Sequence, residues 1–261
     1  MASSEEEDRP TFLLSIVMPA YNEESSVAQV VHSILALEIP GGVDLIVVND
    51  GSKDSTGELL AELDSAHPFT IIHHPKNRGK GAAVRTGIAA ARGTHLLVFD
   101  ADTEYNPLDI PILALPIVTN RAEVVYGARV RGHHTLMPTM IHAMGNKIMT
   151  SAANILFHSA ISDLHTCLKL IPLPLLRSLK LDEQGFGLDT EITAELLRHG
   201  FRPYELSVSY VGRSKEEGKK IKSSDALRCF YVLLKVRFRG VTRPGLRDKT
   251  LAPKVRIPKN G

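Results

Sequence analysis

In HLLVFDADTEYNP, residues 95–107, an apolar run leads into Asp100, Asp102 and Glu104 before Pro107 closes the segment. A short apolar run bounded by turn residues reads as a strand, and a strand end fixes carboxylates while the following loop exposes them. Asp100 and Asp102, two apart, would face one way in a continuing strand, and a slight bend brings Glu104 alongside. Hard divalent cations such as Mg²⁺ and Mn²⁺ favour oxygen donors, and often take one or two carboxylates plus substrate phosphates. The competing use is a solvated acidic loop with Asp102 as a helix cap. The spacing fits a metal–diphosphate site.

The other polar clusters narrow the chemistry. NDGSKDST, residues 49–56, starts like a calcium loop with Asp50, Ser52 and Asp54, but Ser55 stands where that loop needs Gly and Ala61 where it needs Glu. Asp50 then reads as a contact to nucleobase ring N–H groups and Asp54 as a helix cap. NRGKGAAVRTG, residues 77–87, carries three glycines with Lys80 and Arg85 yet has neither the dinucleotide nor the P-loop spacing. PAYNEE, after the first apolar run, has no glycine. Nucleotide binding therefore falls to side chains more than to a helix N-terminus. The pairs His73–His74 and His133–His134 lack the spaced partners of a zinc site and read as satisfied or surface histidines.

These clusters need a frame. Strand-like runs occur at FLLSIVM (12–18), VDLIVVN (43–49), FTIIHH (69–74), HLLVFD (95–100) and AEVVYGA (122–128), with helical patterns after the first three. Such alternation predicts right-handed βαβ units: an α/β fold with a mostly parallel, Rossmann-like sheet covered by helices on both faces. In such sheets ligands bind outside the carboxyl ends of the strands, where this chain places its polar clusters. Residues 132–172 are less regular, with an amphipathic or buried helix. Residues 223–239 space Leu227, Phe230, Tyr231, Leu234 and Phe238 helically among basic residues, which suits a membrane-interface helix and a core-docking helix equally.

A chain of 261 residues holds one substantial core. Its net charge of +2 conceals an asymmetry: from Arg213 onward there are 15 Lys/Arg against 4 Asp/Glu, a local +11 on a body of −9. The expected organisation is an acidic disordered leader over 1–11, a catalytic domain over 12–222, and a basic amphipathic helix and tail over 223–261 that contacts a membrane surface or a partner. Cys167 and Cys229 make no disulfide framework, which fits a reducing compartment. No signal peptide and no membrane-spanning run is expected. The tail lacks the interleaved aromatics and the recognition motif of a nucleic-acid binder.

SIVMPAYNEE, VVNDGSKDST, NRGKGAAVRTG, VFDADTEYNP, VVYGARV, SDLHTCLKL and VGRSKEEGKKI together resemble, in order, the family 2 glycosyltransferases of the dolichyl-phosphate mannose synthase and polyprenyl-phosphate glycosyltransferase type. The resemblance implies a GT-A fold, an inverting transfer from a nucleotide-diphosphate sugar (GDP- or UDP-linked), and Mg²⁺ or Mn²⁺ held by Asp102 and Glu104. Glu104 stands where the mannose synthases usually carry Gln. By the same resemblance Pro19, Tyr21, Glu23, Asp50, Lys80, Asp100, Ala101, Asp102 and Arg213 would bind the nucleotide sugar. Arg129, Lys147 and Lys169 would hold the acceptor phosphate, the two lysines replacing arginines of the mannose synthases. Asp100, Asp102, Arg129, Asp163 and Arg213 would form the catalytic set.

The chemistry gives these cations a reason. A phosphate monoester acceptor is already anionic, so its attack on an anomeric carbon needs no general base, only cations that hold two repelling phosphate groups and stabilise the leaving group. A sugar hydroxyl acceptor would need a carboxylate base, for which Asp163 is the candidate. The expected acceptor is a polyprenyl or dolichyl phosphate, reached by peripheral docking at the cytoplasmic face with or without an anchoring partner protein. The alternatives are a soluble or polymeric hydroxyl acceptor, disfavoured by the absence of the Trp used in polysaccharide-making relatives, and a non-catalytic nucleotide-sugar-binding subunit.

Overall fold

A computed structural model describes residues 10–129, 135–136, 140–213, 223–239, 252 and 254–256. The leader up to residue 9, the His133–His134 pair, VGRSKEEGKKI beyond Arg213 and most of the basic tail lie outside these residues.

The elements in chain order are β1 (Leu14–Ala20), α1 (Val27–Leu35), β2 (Val43–Asn49), α2 (Thr56–Ala66), β3 (Thr70–His73), α3 (Lys80–Ala90), β4 (His95–Val98), α4 (Asp109–Val118) and β5 (Val125–Ala128). Then come β6 (Thr135–Leu136), α5 (Met140–Phe157), β7 (Lys169–Pro172), α6 (Leu173–Ser178), α7 (Gly187–Arg198), β8 (Tyr204–Ser207), β9 (Tyr210–Val211) and α8 (Ser223–Phe238). Seven strands form one sheet in the order β3-β2-β1-β4-β7-β5-β8. All its pairings are parallel except those of β7, which runs antiparallel between β4 and β5. The mostly parallel sheet expected from the sequence is present; the reversed strand β7 was not anticipated.

Side-chain alternation explains the layers. Leu14, Ile16 and Met18 of β1 pack with the i, i+3, i+4, i+7 face of α1 (Val27, Val30, Val31, Ile34), while Val17 points to the opposite core beside α3. A third cluster joins α5, α7 and α8 through Met149, Ala153, Leu197, Val232, Leu233 and Val236. The helix at 223–239 thus docks, but with a face other than the one its pattern suggested. Leu227 (77% exposed) and Phe238 (78%) point outward, as do Phe230 and Tyr231. Near the far terminus Val255 is buried and Arg256 pairs its backbone with Pro10 and Phe12, so the packed body does not end at 222.

Candidate active site

Because β1 to β4 run parallel, their carboxyl ends share one edge and bring PAYNEE, NDGSKDST, PKNRGKG and DADTE together. A cavity of about 550 Å³ opens beside the ends of β1, β2 and β3, lined by Tyr21, Asn49, Lys53, His73, Lys76 and Asn77 among others. Tyr21 therefore sits where a nucleotide could lie, and Pro19 is half-buried within β1. Asp50 is placed differently from expectation. It is 2% exposed, and its carboxylate accepts from His74 Nδ1 at 2.6 Å, from Arg78 N–H at 3.0 Å and from Gly79 N–H at 2.8 Å. It anchors the turn before α3 rather than presenting free oxygens to a ring. His74 also meets Thr86, and His73 meets Asn49, so both described histidines have ordinary partners. Asp54 lies one residue before the formal cap position, taken by Ser55, and still accepts the N–H of Thr56.

The acidic turn departs from an extended strand. β4 stops at Val98, and the three carboxylates diverge. Asp100 faces Lys80, whose Nζ lies 2.7 Å from Oδ1, and also accepts the Cys167 thiol at 2.8 Å. Burial works against the Lys80 ammonium, but Asp100 foremost outweighs it and raises its pKa well above the ordinary value. Gly79, at φ +93°, lets the turn before α3 pack closely on the segment before α7: a Cβ there would lie 2.5 Å from the Gln184 carbonyl oxygen. Asp102 accepts from Arg213 Nη2 at 2.7 Å, and Glu23 accepts from Nη1 of the same guanidinium at 3.2 Å. Glu104 accepts the Arg213 N–H at 2.7 Å and the Tyr210 hydroxyl at 2.7 Å. Ala101 is buried, and its carbonyl accepts from Ser26. Burial, then Asp100 and Glu104, push the Asp102 pKa up to about 7 against the pull of Arg213.

The second half of the site is built around Asp163. This residue is 0% exposed and receives Arg129 Nε at 2.7 Å, Arg129 Nη2 at 2.8 Å and Asn146 Nδ2 at 2.9 Å. Burial opposes its charge, yet Arg129 and Asn146 lower its pKa to about 2. A carboxylate so held is a weak proton acceptor, so the general-base role considered for Asp163 does not fit its position. Lys147 is exposed on α5, and its neighbour Asn146 is the residue that turns in. Lys169 is 2% exposed and reaches the Asp189 carbonyl at 2.9 Å and carboxylate at 3.5 Å, beneath the site rather than facing an acceptor. Burial lowers its pKa. Asp189, Cys167, Asn146 and Tyr210 escaped the sequence reading. Tyr210 alone had a legible signal, as the aromatic residue heading YVGR.

Among the described residues no group of three His, Cys, Asp or Glu side chains forms a complete metal cage. The donors present nonetheless suit a hard cation bound jointly with phosphate. Asp102 and Glu104 are oxygen donors with lone pairs beyond those already engaged with Arg213 and Tyr210.

A mostly parallel seven-stranded sheet with an acidic turn at its carboxyl edge, facing paired Arg and Lys side chains, defines a GT-A glycosyltransferase. Residues 15–176 match glycosyl transferase family 2, and the chain belongs to that family. It is 27% identical over 249 residues to dolichyl-phosphate beta-glucosyltransferase ALG5D of Trichomonas vaginalis, an alignment covering 88% of this chain and 74% of the relative. To low-salt glycan biosynthesis hexosyltransferase Agl6 of Haloferax volcanii it is 26% identical over 219 residues, 83% of this chain but only about half (51%) of the relative. Among solved structures, glucosyl-3-phosphoglycerate synthase of Mycobacterium tuberculosis in complex with Mn²⁺, UDP and glucosyl-3-phosphoglycerate superposes with a TM-score of 0.66 at 19% identity, covering 89% of this chain and 81% of that one.

Proposed function

We propose that this glycosyltransferase moves a hexose, with inversion, from a nucleotide-diphosphate sugar to a polyprenyl or dolichyl phosphate. The observation that carries the reading is the Arg129–Asp163 unit. The carboxylate that could have served as base for a hydroxyl acceptor is instead committed to holding a guanidinium, which suits an acceptor that brings its own negative charge. The names of the dolichyl-phosphate glucosyltransferase relatives support the same acceptor class.

In this mechanism a phosphate oxygen of the acceptor attacks the anomeric carbon from the face opposite the diphosphate. The new O–C1 bond forms as the C1–O bond to the β-phosphate breaks, and the electron pair leaves with the diphosphate. No proton need be removed. Arg129 holds the acceptor phosphate; Lys80 and Arg213, exchanging part of their contacts with Asp100, Asp102 and Glu23, meet the departing diphosphate. Asp102 and Glu104 would hold Mg²⁺ or Mn²⁺, which when bound supplies further charge neutralisation on the leaving group.

No described helix is long and apolar enough to cross a membrane. The outward face of α8, with Leu227, Phe230, Tyr231 and Phe238, offers apolar area for peripheral docking, and the basic segment after Arg213 offers charge for an anionic leaflet or an anchoring partner. The test is transfer of labelled sugar from a panel of UDP- and GDP-sugars to a short polyprenyl phosphate, with Mn²⁺, with Mg²⁺ and with chelator. A chelator-sensitive, organic-extractable product that Asp102→Asn abolishes is expected. Donor hydrolysis without lipid product from any donor would remove the acceptor assignment.

A further inference from the structure

Tyr210 touches both halves of the site. It is 3% exposed, and its hydroxyl donates to Glu104 Oε2 at 2.7 Å. The Arg129 guanidinium lies 5.0 Å from its ring centroid, and the Tyr105 ring packs at 5.1 Å. Its backbone is fixed as well: Tyr210 bridges Tyr105, and Val211 N–H donates to the Glu104 carbonyl at 2.9 Å. Tyr105 in turn accepts the N–H of Cys167, the residue whose thiol reaches Asp100. The donor-side acids and the acceptor-side guanidinium therefore meet on one side chain with little freedom to move.

We propose that Tyr210 is a positioning residue that sets Glu104 and Arg129 at a fixed separation, its hydroxyl orienting the Glu104 carboxylate and its ring face seating the Arg129 guanidinium. This rests on the assignment of Glu104 to the donor side and Arg129 to the acceptor side. Two features make the residue suited to it. The hydroxyl is buried with its ring and lies 2.7 Å from Glu104 Oε2, a fixed donor to that carboxylate. An aromatic face attracts the guanidinium without competing for the Nε and Nη2 hydrogens that it gives to Asp163.

The two contacts can be separated. Tyr210→Phe keeps the ring and removes the hydroxyl; Tyr210→Leu removes both. Binding of UDP and of GDP, each with Mn²⁺, is measured by titration calorimetry on the full chain, and KM for farnesyl phosphate by sugar transfer. For Tyr210→Phe we expect about tenfold weaker binding of whichever nucleotide the wild type takes, the scale of a hydrogen bond to a charged group, with an unchanged KM for farnesyl phosphate. Tyr210→Leu should raise that KM as well. In the background of Glu104→Gln the Phe substitution should add little, because the charged acceptor is gone. Wild-type nucleotide affinity in Tyr210→Phe, or multiplicative effects in the double variant, would overturn the proposal. If Tyr210→Leu does not fold, the Phe variant and the cycle decide. Absence of a farnesyl product from the wild type would strike the acceptor reading alone, because the nucleotide arm still judges Tyr210.

Discussion

Replacing Asp163 by Asn keeps the shape of the side chain and removes the charge that Arg129 faces. The magnitude follows from two routes. A carboxyl lowered from 3.8 to about 2 in the folded state contributes about 2 kcal/mol at neutral pH. Removing one partner of a buried pair costs about 3–5 kcal/mol, because the other charge stays buried without compensation. The substitution should thus cost roughly 2–5 kcal/mol at pH 7. The folded value lies below the unfolded one, so this stabilisation is complete above about pH 4 and is lost as the pH falls through about 2. Urea unfolding of wild type and Asp163→Asn at pH 7, 5 and 3 checks it. The difference between the two proteins should be nearly equal at pH 7 and 5 and about 1 kcal/mol smaller at pH 3. A cost below about 1 kcal/mol at neutral pH, or one independent of pH down to 3, would refute the claim that Asp163 is the ionised holder of Arg129.

Other perturbations read other parts of the molecule. Asp102→Asn should cut turnover by orders of magnitude while leaving the thermal midpoint equal or higher, since Asp102, with its pKa pushed up to about 7, is a charge the fold does not favour; a markedly lower midpoint would contradict this. Gly87→Ala would put a Cβ 2.3 Å from Val17 Cγ1 where α3 rides on β1. It should destabilise by about 1–3 kcal/mol in denaturant titration, and no change would mean that this contact is looser than described. Leu227→Ser with Phe230→Ser, on the outward face of α8, should abolish flotation with anionic vesicles and leave the urea midpoint in place; retained flotation would move membrane contact elsewhere.

The strands were legible because a parallel sheet covered on both faces demands continuous Val, Leu and Ile, and VDLIVVN or HLLVF can hardly do anything else. β7 was not, since Lys169 at its head hides a buried ammonium whose partner, Asp189, lies on α7. The acids after β4 were read as a site, but their expected alignment assumed a strand that ends at Val98. Once the chain turns, Lys80 and Arg213 decide where each carboxylate points, and both come from remote segments. For α8 the sequence supported docking and an exposed apolar face without choosing. The helix carries both, because Cys229, Val232, Leu233 and Val236 form a second apolar stripe beside the first.

That pairing of remote charges gives several of the body's carboxylates a structural use. Around the site Lys80 faces Asp100, Arg129 faces Asp163, Lys169 faces Asp189 and Arg213 faces Asp102 with Glu23. Bare cations packed this closely would repel one another and shed charge on burial, as the lowered pKa of Lys169 shows even with a partner present. Carboxylates let the cations stay buried and ordered before any phosphate arrives. The pairs differ in how far they can yield: Asp163 is sealed and its bidentate contact leaves Arg129 fixed, whereas the Arg213 guanidinium is about one-fifth exposed and divided among several acids. Under the proposed function Arg213 is therefore the cation able to exchange partners with a diphosphate, and Arg129 the one that keeps its place.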